Sequence, residues 1–138
     1  MNCRMDNSTI EQKKHTILLI EDNEVDQKAF IRLIKDQDLP YACTIAASIS
    51  EARSILGREA FDVIITDYSL GDGTSFDILD FVNNTPIIVI TGTEGVVINS
   101  PKVHVCDSLI KDIERNYLKV LPGAIEKAIR QKRGENRS

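Results

Sequence analysis

The stretch DVIITDYSLGDG, residues 62–73, decides the fold of this 138-residue chain. Its first part, residues 62–66, is an aliphatic run that ends directly at an acidic residue, Asp67, and a glycine-containing turn follows. A half-exposed strand would alternate apolar and polar residues, so a continuous run is typical of a strand buried on both faces of a parallel sheet. The sequence therefore predicts a central buried strand with a carboxylate at its carboxyl end.

Two further aliphatic runs lie on either side of this strand in the chain, TILLI at residues 16–20 and PIIVIT at residues 86–91. Residues 41–46 are rich in β-branched and small side chains and predict a fourth strand. Residues 108–110 predict a short fifth one. The chain thus carries five candidate strands, with the central run third in sequence.

The segments after the first, second, third and fifth strands show apolar residues at helical spacing. Ser48 with Glu51 and Thr74 with Asp77 are capping-box patterns, which mark two of the helix starts. Pro122 must either kink the last helix or lie in its first turn. The predicted apolar stripes are Val25, Ala29, Phe30, Leu33 and Ile34, then Ile49, Ala52, Ile55 and Leu56, then Phe76, Leu79 and Val82, and finally Leu118, Leu121, Ile125, Ala128 and Ile129.

Strands that alternate with helices over short connections imply right-handed crossovers and a single sheet with helices on both faces. The fold class is therefore α/β, with a doubly wound parallel sheet. In such a sheet the functional site lies beyond the carboxyl ends of the strands. The residues at the carboxyl ends of these strands are Glu21, Asp22, Asp67, Thr91 and Lys111. All five are ionisable or carry a hydroxyl.

These strand-end residues predict a particular chemistry. Three carboxylates at one sheet edge, Glu21, Asp22 and Asp67, repel each other unless a cation neutralises them. Mg²⁺ prefers such oxygen ligands and often completes its shell with substrate phosphate. Thr91 and Lys111 would add a hydrogen-bond donor and a positive charge for the remaining phosphoryl oxygens. Each residue alone is more typical of a turn, a helix cap or a solvated charge, but the set predicts phosphoryl transfer to an aspartate.

Composition argues against several other classes of protein. A net charge of −4, from 17 basic and 21 acidic residues, disfavours direct nucleic-acid binding. The aliphatic runs are too short for membrane insertion, and the polar start lacks the apolar segment of a secretory signal, so we expect a cytoplasmic protein. Three widely spaced cysteines favour neither a disulfide framework nor a zinc site, and His104 and Cys106 are expected to be packing residues.

Residues 15 to about 132 resemble the receiver domains of two-component response regulators. The resemblance rests on ILLIEDNEVDQ, DVIITDYSLGDG, IIVITGTEG and DSLIKD as a set. It implies a flavodoxin-like sheet of five parallel strands in the order 2-1-3-4-5. Residues 93–106, which include Gly95 and Pro101, leave room for only a short fourth helix. The chain then divides into a polar amino-terminal extension (1–14), the receiver domain (15–132) and a charged tail (133–138).

The resemblance also implies roles for the strand-end residues. Asp67 would accept the phosphoryl group, and Mg²⁺ would be held by Glu21, Asp22, Asp67 and the backbone carbonyl of Ser69. Lys111 and the hydroxyl of Thr91 would contact the phosphoryl group. Such domains take phosphate from a histidine kinase or a histidine phosphotransfer protein and assist their own phosphorylation and dephosphorylation, without being enzymes in the usual sense. They then change the binding of a downstream protein, which this sequence does not identify.

Several positions depart from the pattern of those domains. Ser108 stands where an aromatic residue usually couples phosphorylation to the output surface, and Gly71, Ser75 and Asp112 replace a usual Pro, Gly and Pro. We therefore expect the response to phosphate to stay near the loops around the site. The alternative is a pseudo-receiver, a protein-interaction module that works without phosphorylation. An aspartate-based phosphatase is disfavoured, because its second Asp would stand at the position of Ser69.

Overall fold

The computed structural model describes residues 14–79, 82, 84–92, 105–112 and 114–137. Their main feature is a five-stranded sheet made of β1 (His15–Ile20), β2 (Tyr41–Ala46), β3 (Val63–Asp67), β4 (Ile87–Thr91) and β5 (Val105–Ile110). The strands lie in the order β2-β1-β3-β4-β5, and every neighbouring pair is parallel. The predicted doubly wound sheet and its strand order are confirmed. The fifth strand is longer than predicted.

Four helices belong to the described part of the chain: α1 (Glu24–Asp36), α2 (Ile49–Leu56), α3 (Phe76–Leu79) and α4 (Tyr117–Arg137). A short antiparallel hairpin, Ser69–Leu70 with Gly73–Thr74, lies between β3 and α3. The short helix predicted within residues 93–106 falls mainly on residues 93–104. These lie outside the described residues, so that helix stays a prediction.

The two faces of the sheet are covered by two separate hydrophobic clusters. Ile17 and Leu19 of β1 pack with residues of α1 and α4, whereas Leu18 and Ile20 pack with residues of α2 and α3. Successive residues of a strand point to opposite faces, so both faces of β1 need apolar side chains. This explains why the central strands are continuous aliphatic runs.

Most residues of the predicted helix stripes are buried or partly buried, but two are not. Val25 is exposed, because the first turn of α1 lies at the edge of the sheet where β1 ends. Phe76 is also exposed, and its ring packs edge-on against Tyr68 with the centroids 5.7 Å apart. Ile78 takes the core position in the single turn of α3. The side chain of Leu79 lies outside the described part.

The last helix, α4, contributes the predicted stripe Leu118, Leu121, Ile125, Ala128 and Ile129 to one of the two clusters. The sequence left two alternatives for Pro122, a kink in the last helix or a place in its first turn. Pro122 lies in the second turn of α4, which excludes the first turn, and the kink stays a prediction. The ring nitrogen of this proline has no hydrogen to donate to the carbonyl of Leu118. None of the helices in the described ranges combines the length and the apolar composition that a membrane span requires.

Helix α2 begins at the predicted N-cap, Ser48, while Glu51 bonds to the N–H one residue before that cap and not to the N–H of Ser48 itself. The Ser48 hydroxyl accepts a hydrogen bond from the Glu51 N–H at 3.0 Å, and the Glu51 carboxylate accepts one from the Ala47 N–H at 2.6 Å. The two oxygens of Asp72, in the turn of the hairpin, accept bonds from the first two N–H groups of α2 at 2.9 and 3.0 Å. The hairpin that follows β3 is therefore tied to the start of α2.

Helix α3 begins at the second predicted cap. The Asp77 carboxylate accepts a hydrogen bond from the Thr74 N–H at 3.0 Å, and the Thr74 hydroxyl accepts one from the Phe76 N–H at 3.3 Å. A Cβ atom on Gly73 would collide with that Asp77 carboxylate. Glycine at this position allows the hairpin strand to approach its own helix closely.

Candidate functional site

The strand-end residues predicted from the sequence meet at the carboxyl edge of the sheet. Glu21 and Asp22 follow β1, Asp67 and Thr91 end β3 and β4, and Lys111 follows β5. One carboxylate oxygen from each of the three acids lies within 4.8 Å of the others. This proximity follows from the topology, because β1 and β3 are neighbours where the winding of the sheet reverses.

The Lys111 ammonium lies among these acids. Its Nζ is 2.8 Å from Glu21 Oε1, 2.9 Å from Asp26 Oδ2 and 3.0 Å from Asp67 Oδ2. Burial alone would lower the pKa of Lys111, but hydrogen bonds to the three carboxylates outweigh burial and raise this pKa above its usual range. Lys111 therefore carries its positive charge at every physiological pH.

Glu21 is the buried member of the acidic group, with 3% of its surface exposed. Burial raises the pKa of Glu21 to about 7, the hydrogen bond from Lys111 opposes this rise, and the charge of Asp67 adds to it. Its Oε2 also accepts a hydrogen bond from the Asn23 N–H at 3.1 Å. A cation that binds the ionised carboxylate would therefore compete with a proton near neutral pH.

A fourth carboxylate, Asp26, belongs to the site but was not among the predicted residues. It lies in the first turn of α1 and is buried, with Oδ2 on Lys111 and Oδ1 2.9 Å from Arg115 Nε. Burial would raise the pKa of Asp26, but hydrogen bonds from Lys111 and Arg115 outweigh burial and lower this pKa. The only sequence signal for Asp26 is its place in the helical turn that directly follows Glu21 and Asp22.

Thr91 and Ser69 occupy the remaining predicted positions. Thr91 is buried, and its hydroxyl donates a hydrogen bond to the Gly92 carbonyl at 3.3 Å. The Lys111 N–H donates to the Thr91 carbonyl at 2.7 Å, which joins the ends of β4 and β5. Ser69 lies in the hairpin two residues after Asp67 and is exposed. The metal contact predicted for the Ser69 carbonyl stays a prediction.

The unusual positions noted in the sequence have different environments. Ser108 pairs through its backbone with Val89, while its side chain lies outside the described part, so the expected loss of an aromatic switch stays a prediction. Ser75 is buried, and its hydroxyl has no hydrogen-bond partner within the described ranges. Asp112 accepts a hydrogen bond from the Tyr117 N–H at 3.2 Å and so caps the start of α4.

The three clustered acids fit a hard divalent cation. They offer carboxylate oxygens within 4.8 Å of one another, which is the donor type that Mg²⁺ prefers. Glu21 lies at the buried end of the group, and Asp22 is exposed. An ion held between them would keep an open side for water and for phosphate oxygens.

Comparison with known proteins gives a consistent result. Residues 17–121 match the family model described as the response regulator receiver domain. Over 109 residues the chain is 29% identical to the response regulator protein PilR of Pseudomonas aeruginosa, an alignment that covers 75% of this chain and 24% of PilR. The chain thus spans about a quarter of the length of the curated relatives it matches.

Solved receiver domains share the architecture. The signal receiver domain of a LuxO repressor protein from Vibrio parahaemolyticus is 25% identical with a TM-score of 0.70, covering 88% of this chain and 98% of that one. The receiver domain of a sensor histidine kinase from Pseudomonas aeruginosa, solved with a magnesium ion coordinated in its active-site cleft, is 21% identical with a TM-score of 0.63. That comparison covers 84% of this chain and 98% of that receiver domain, and it supports the same fold.

Proposed function

Because this chain belongs to the family of response regulator receiver domains, we propose that it accepts a phosphoryl group on Asp67 from the phosphohistidine of a histidine kinase or a histidine phosphotransfer protein. The observation that carries the proposal is the contact of the Asp67 carboxylate with the Lys111 ammonium, inside a group of three clustered acids. The receiver unit would extend over residues 15–132, with residues 1–14 and 133–138 outside it.

Mg²⁺ is the cofactor that this donor set would take. Glu21, Asp22 and Asp67 would hold it through carboxylate oxygens, and the Ser69 carbonyl would be a further ligand. Bound there, the ion would supply positive charge for the phosphoryl oxygens of the donor. The carboxylate of Asp22 is exposed, so a donor could reach the ion from solvent.

The transfer itself requires little of the protein beyond position and charge. An oxygen of the Asp67 carboxylate would attack phosphorus while the bond from phosphorus to the donor nitrogen breaks, which leaves an acyl phosphate. Lys111, already 3.0 Å from Asp67, would pair with the new phosphoryl oxygens. The Thr91 hydroxyl would exchange its bond to the Gly92 carbonyl for one to the phosphoryl group.

The proposed consequence is a change in the binding of a downstream protein. A phosphoryl group on a hydroxyl residue adds roughly 1.5 to 2 negative charges, and we expect a similar charge from an acyl phosphate. Lys111 connects that charge to the loop after β5, because it is the first residue of the loop and its N–H bonds to Thr91. We propose that a partner protein binds the loops at this edge of the sheet and responds to the phosphoryl group there. Direct nucleic-acid binding and membrane insertion are not part of the proposal.

Mass spectrometry of the intact protein tests the acceptor. After incubation with acetyl phosphate and Mg²⁺, wild type should gain one base-labile phosphoryl group and Asp67→Asn none. Asp36→Asn, at the exposed end of α1, serves as a matched control and should be labelled like wild type. Equal labelling of Asp67→Asn would reject the assignment, and no labelling of wild type would favour the pseudo-receiver.

Thermal unfolding tests the metal. A ligand that binds only the native state raises stability by mass action, so millimolar Mg²⁺ should raise the Tm of wild type. Asp22→Ala should lose most of this gain. The exposed Glu24→Gln, two residues further along the chain, should keep it. A Tm that ignores Mg²⁺, or an equal rise in Asp22→Ala, would contradict the proposed ligand set.

A further inference from the structure

Asp26 stands apart from the other acids of the site because both of its oxygens contact a cation. Oδ2 lies 2.9 Å from Lys111 Nζ, and Oδ1 lies 2.9 Å from Arg115 Nε. Its backbone N–H donates to the Asn23 side chain at 3.1 Å, so both the main chain and the side chain of Asp26 are held. Only 11% of the Asp26 side chain is exposed.

The contacts of Lys111 match its hydrogen-bonding capacity. An ammonium group has three N–H donors, and Nζ has three carboxylate oxygens within 3.0 Å, one each from Glu21, Asp26 and Asp67. Glu21 and Asp67 are also members of the group that fits a divalent cation, whereas Asp26 is not. When those two acids turn to a cation or a phosphoryl group, Asp26 is the partner that Lys111 can retain.

We propose that Asp26 is a positioning residue that keeps the Lys111 ammonium at the phosphoacceptor, and that Arg115 fixes Asp26 in the orientation this requires. The inference rests on the proposed phosphorylation of Asp67. It adds to the site two residues that do not themselves contact the phosphoryl group. They join the start of α1 to the loop between β5 and α4.

The backbone of Arg115 supports this assignment. Its φ is 58°, in the left-handed region that a residue other than glycine adopts at a cost. Its N–H donates a hydrogen bond to the Asp112 carbonyl at 3.0 Å. Its side chain contacts Asp26 and is 37% exposed. The Arg115 side chain reaches Asp26 from this backbone conformation.

Positioning and simple charge make opposite predictions for the two residues. Removal of Asp26 takes a negative charge from the site, and removal of Arg115 takes a positive one. If only the charge mattered, the two substitutions would change the labelling rate in opposite directions and their effects would add. If Asp26 and Arg115 act as one unit on Lys111, both substitutions slow labelling and the second adds little to the first.

The experiment compares Asp26→Asn, Arg115→Gln and the double variant with wild type in the full-length protein. We expect the initial rate of labelling by acetyl phosphate to fall about tenfold in Asp26→Asn, since a misplaced group of this kind costs up to about a hundredfold. Arg115→Gln should slow labelling several-fold, and the double variant should be no slower than Asp26→Asn. Glu24→Gln removes an exposed carboxylate from the same turn of α1 and should match wild type.

A second readout does not depend on phosphorylation. The ¹⁵N–¹H signal of the Lys111 ammonium should be resolved in wild type, because its hydrogen-bonded protons exchange slowly, and Lys111→Arg identifies it. The signal should broaden in Asp26→Asn and in Arg115→Gln, but not in Glu24→Gln. An unchanged signal in Asp26→Asn, or rates that move in opposite directions in the two single variants, would overturn the inference. If wild type takes no phosphate, the proposed function fails, and the ammonium signal alone decides the role of Asp26.

Discussion

The starts of α1 and α2 share one local pattern but use it differently. Each helix has a polar N-cap and an acidic residue three positions later. In α2 that acid, Glu51, turns back and accepts a hydrogen bond from the Ala47 N–H, one residue before the N-cap. In α1 the equivalent acid, Asp26, turns away from the helix end toward Lys111 and Arg115.

The difference follows from the strand that precedes each helix. Helix α2 follows β2, which lies at the edge of the sheet, whereas α1 follows β1, which lies beside β3 and therefore beside Asp67. An acid at the start of α1 faces cations from the other strand ends, and an acid at the start of α2 faces mainly its own backbone. Position in the sheet, rather than local sequence, separates a functional acid from a structural one.

The largest expected effect that would test this contrast comes from Lys111→Met. This substitution leaves Glu21, Asp26 and Asp67 without their shared cation. Removal of one partner of a buried ion pair lowers the free energy of unfolding by on the order of 3 kcal/mol. Mg²⁺ should recover more stability in this variant than in wild type. Chemical denaturation measures both effects. If Lys111→Met were as stable as wild type, the contacts of Asp26 would matter no more than those of Glu51, and the contrast between α1 and α2 would not hold.

The pH dependence of stability gives the next effect. The pKa of Glu21 is raised from 4.5 to about 7, so between these values the folded protein keeps a proton that the unfolded chain has lost. The stability that this proton confers is therefore present at low pH and is lost as the pH rises to about 7. Between pH 5.5 and 7.5 the loss should be about 2 kcal/mol at one pKa unit per 1.36 kcal/mol.

Glu21→Gln tests the assignment of this slope, because it removes the titrating group at nearly constant shape. The free energy of unfolding of the variant, measured by denaturation without Mg²⁺, should fall less steeply over the same pH range. If wild type and Glu21→Gln have parallel profiles, the buried carboxyl is not the source of the slope.

The two N-caps give a smaller effect and a sharper comparison. Asn23→Ala and Ser48→Ala should each lower the free energy of unfolding by about 1 kcal/mol, the usual cost of a lost N-cap. Only Asn23→Ala should also weaken the binding of Mg²⁺, because the Asn23 side chain holds the first turn of α1 at Asp26, and the Asp26 carboxylate shares the Lys111 ammonium with Glu21 and Asp67. Calorimetric titration with Mg²⁺ measures the affinity of each variant for the ion. Equal Mg²⁺ affinity in both variants would show that the start of α1 is purely structural.

The smallest expected effect concerns Asp72, which caps α2 from the hairpin. Backbone hydrogen bonds from Ile49 and Ser50 lower the pKa of Asp72 below its usual value. Its contribution to stability is then present above the usual pKa and is lost as the pH falls through the lowered one, the opposite sense to Glu21. Asp72→Ala should be less stable than wild type at pH 7 and should approach wild type at a pH below the lowered pKa of Asp72. A gap that is equally large at both pH values would contradict this.

Much of the fold could be predicted because its signals are local. Aliphatic runs such as residues 63–66 mark strands buried on both faces, and the parallel topology then brings Glu21, Asp67 and Lys111 to one edge. The predicted buried faces of the helices were less accurate at the helix ends. Val25 keeps the helical spacing but lies where the sheet no longer covers α1, and Ile78 rather than Phe76 faces the core from a helix of one turn.

Asp26 could not be predicted in the same way. Its partner Arg115 is 89 positions later in the chain, and an acid in the first turn of a helix is common for reasons of helix electrostatics alone. Nothing in the local sequence distinguishes Asp26 from Glu51, which has the same relation to its N-cap. Only the strand order places one beside Lys111 and the other beside backbone N–H groups.

The most direct test of the central claim is to locate the phosphoryl group chemically. Borohydride reduces an aspartyl phosphate to homoserine with release of phosphate, so reduction of the labelled protein marks the acceptor permanently. Peptide mass spectrometry should find homoserine at position 67 alone, with a yield equal to the extent of labelling. Homoserine at another aspartate, or a phosphoryl group that survives on a different residue while Asp67 is unchanged, would contradict the account.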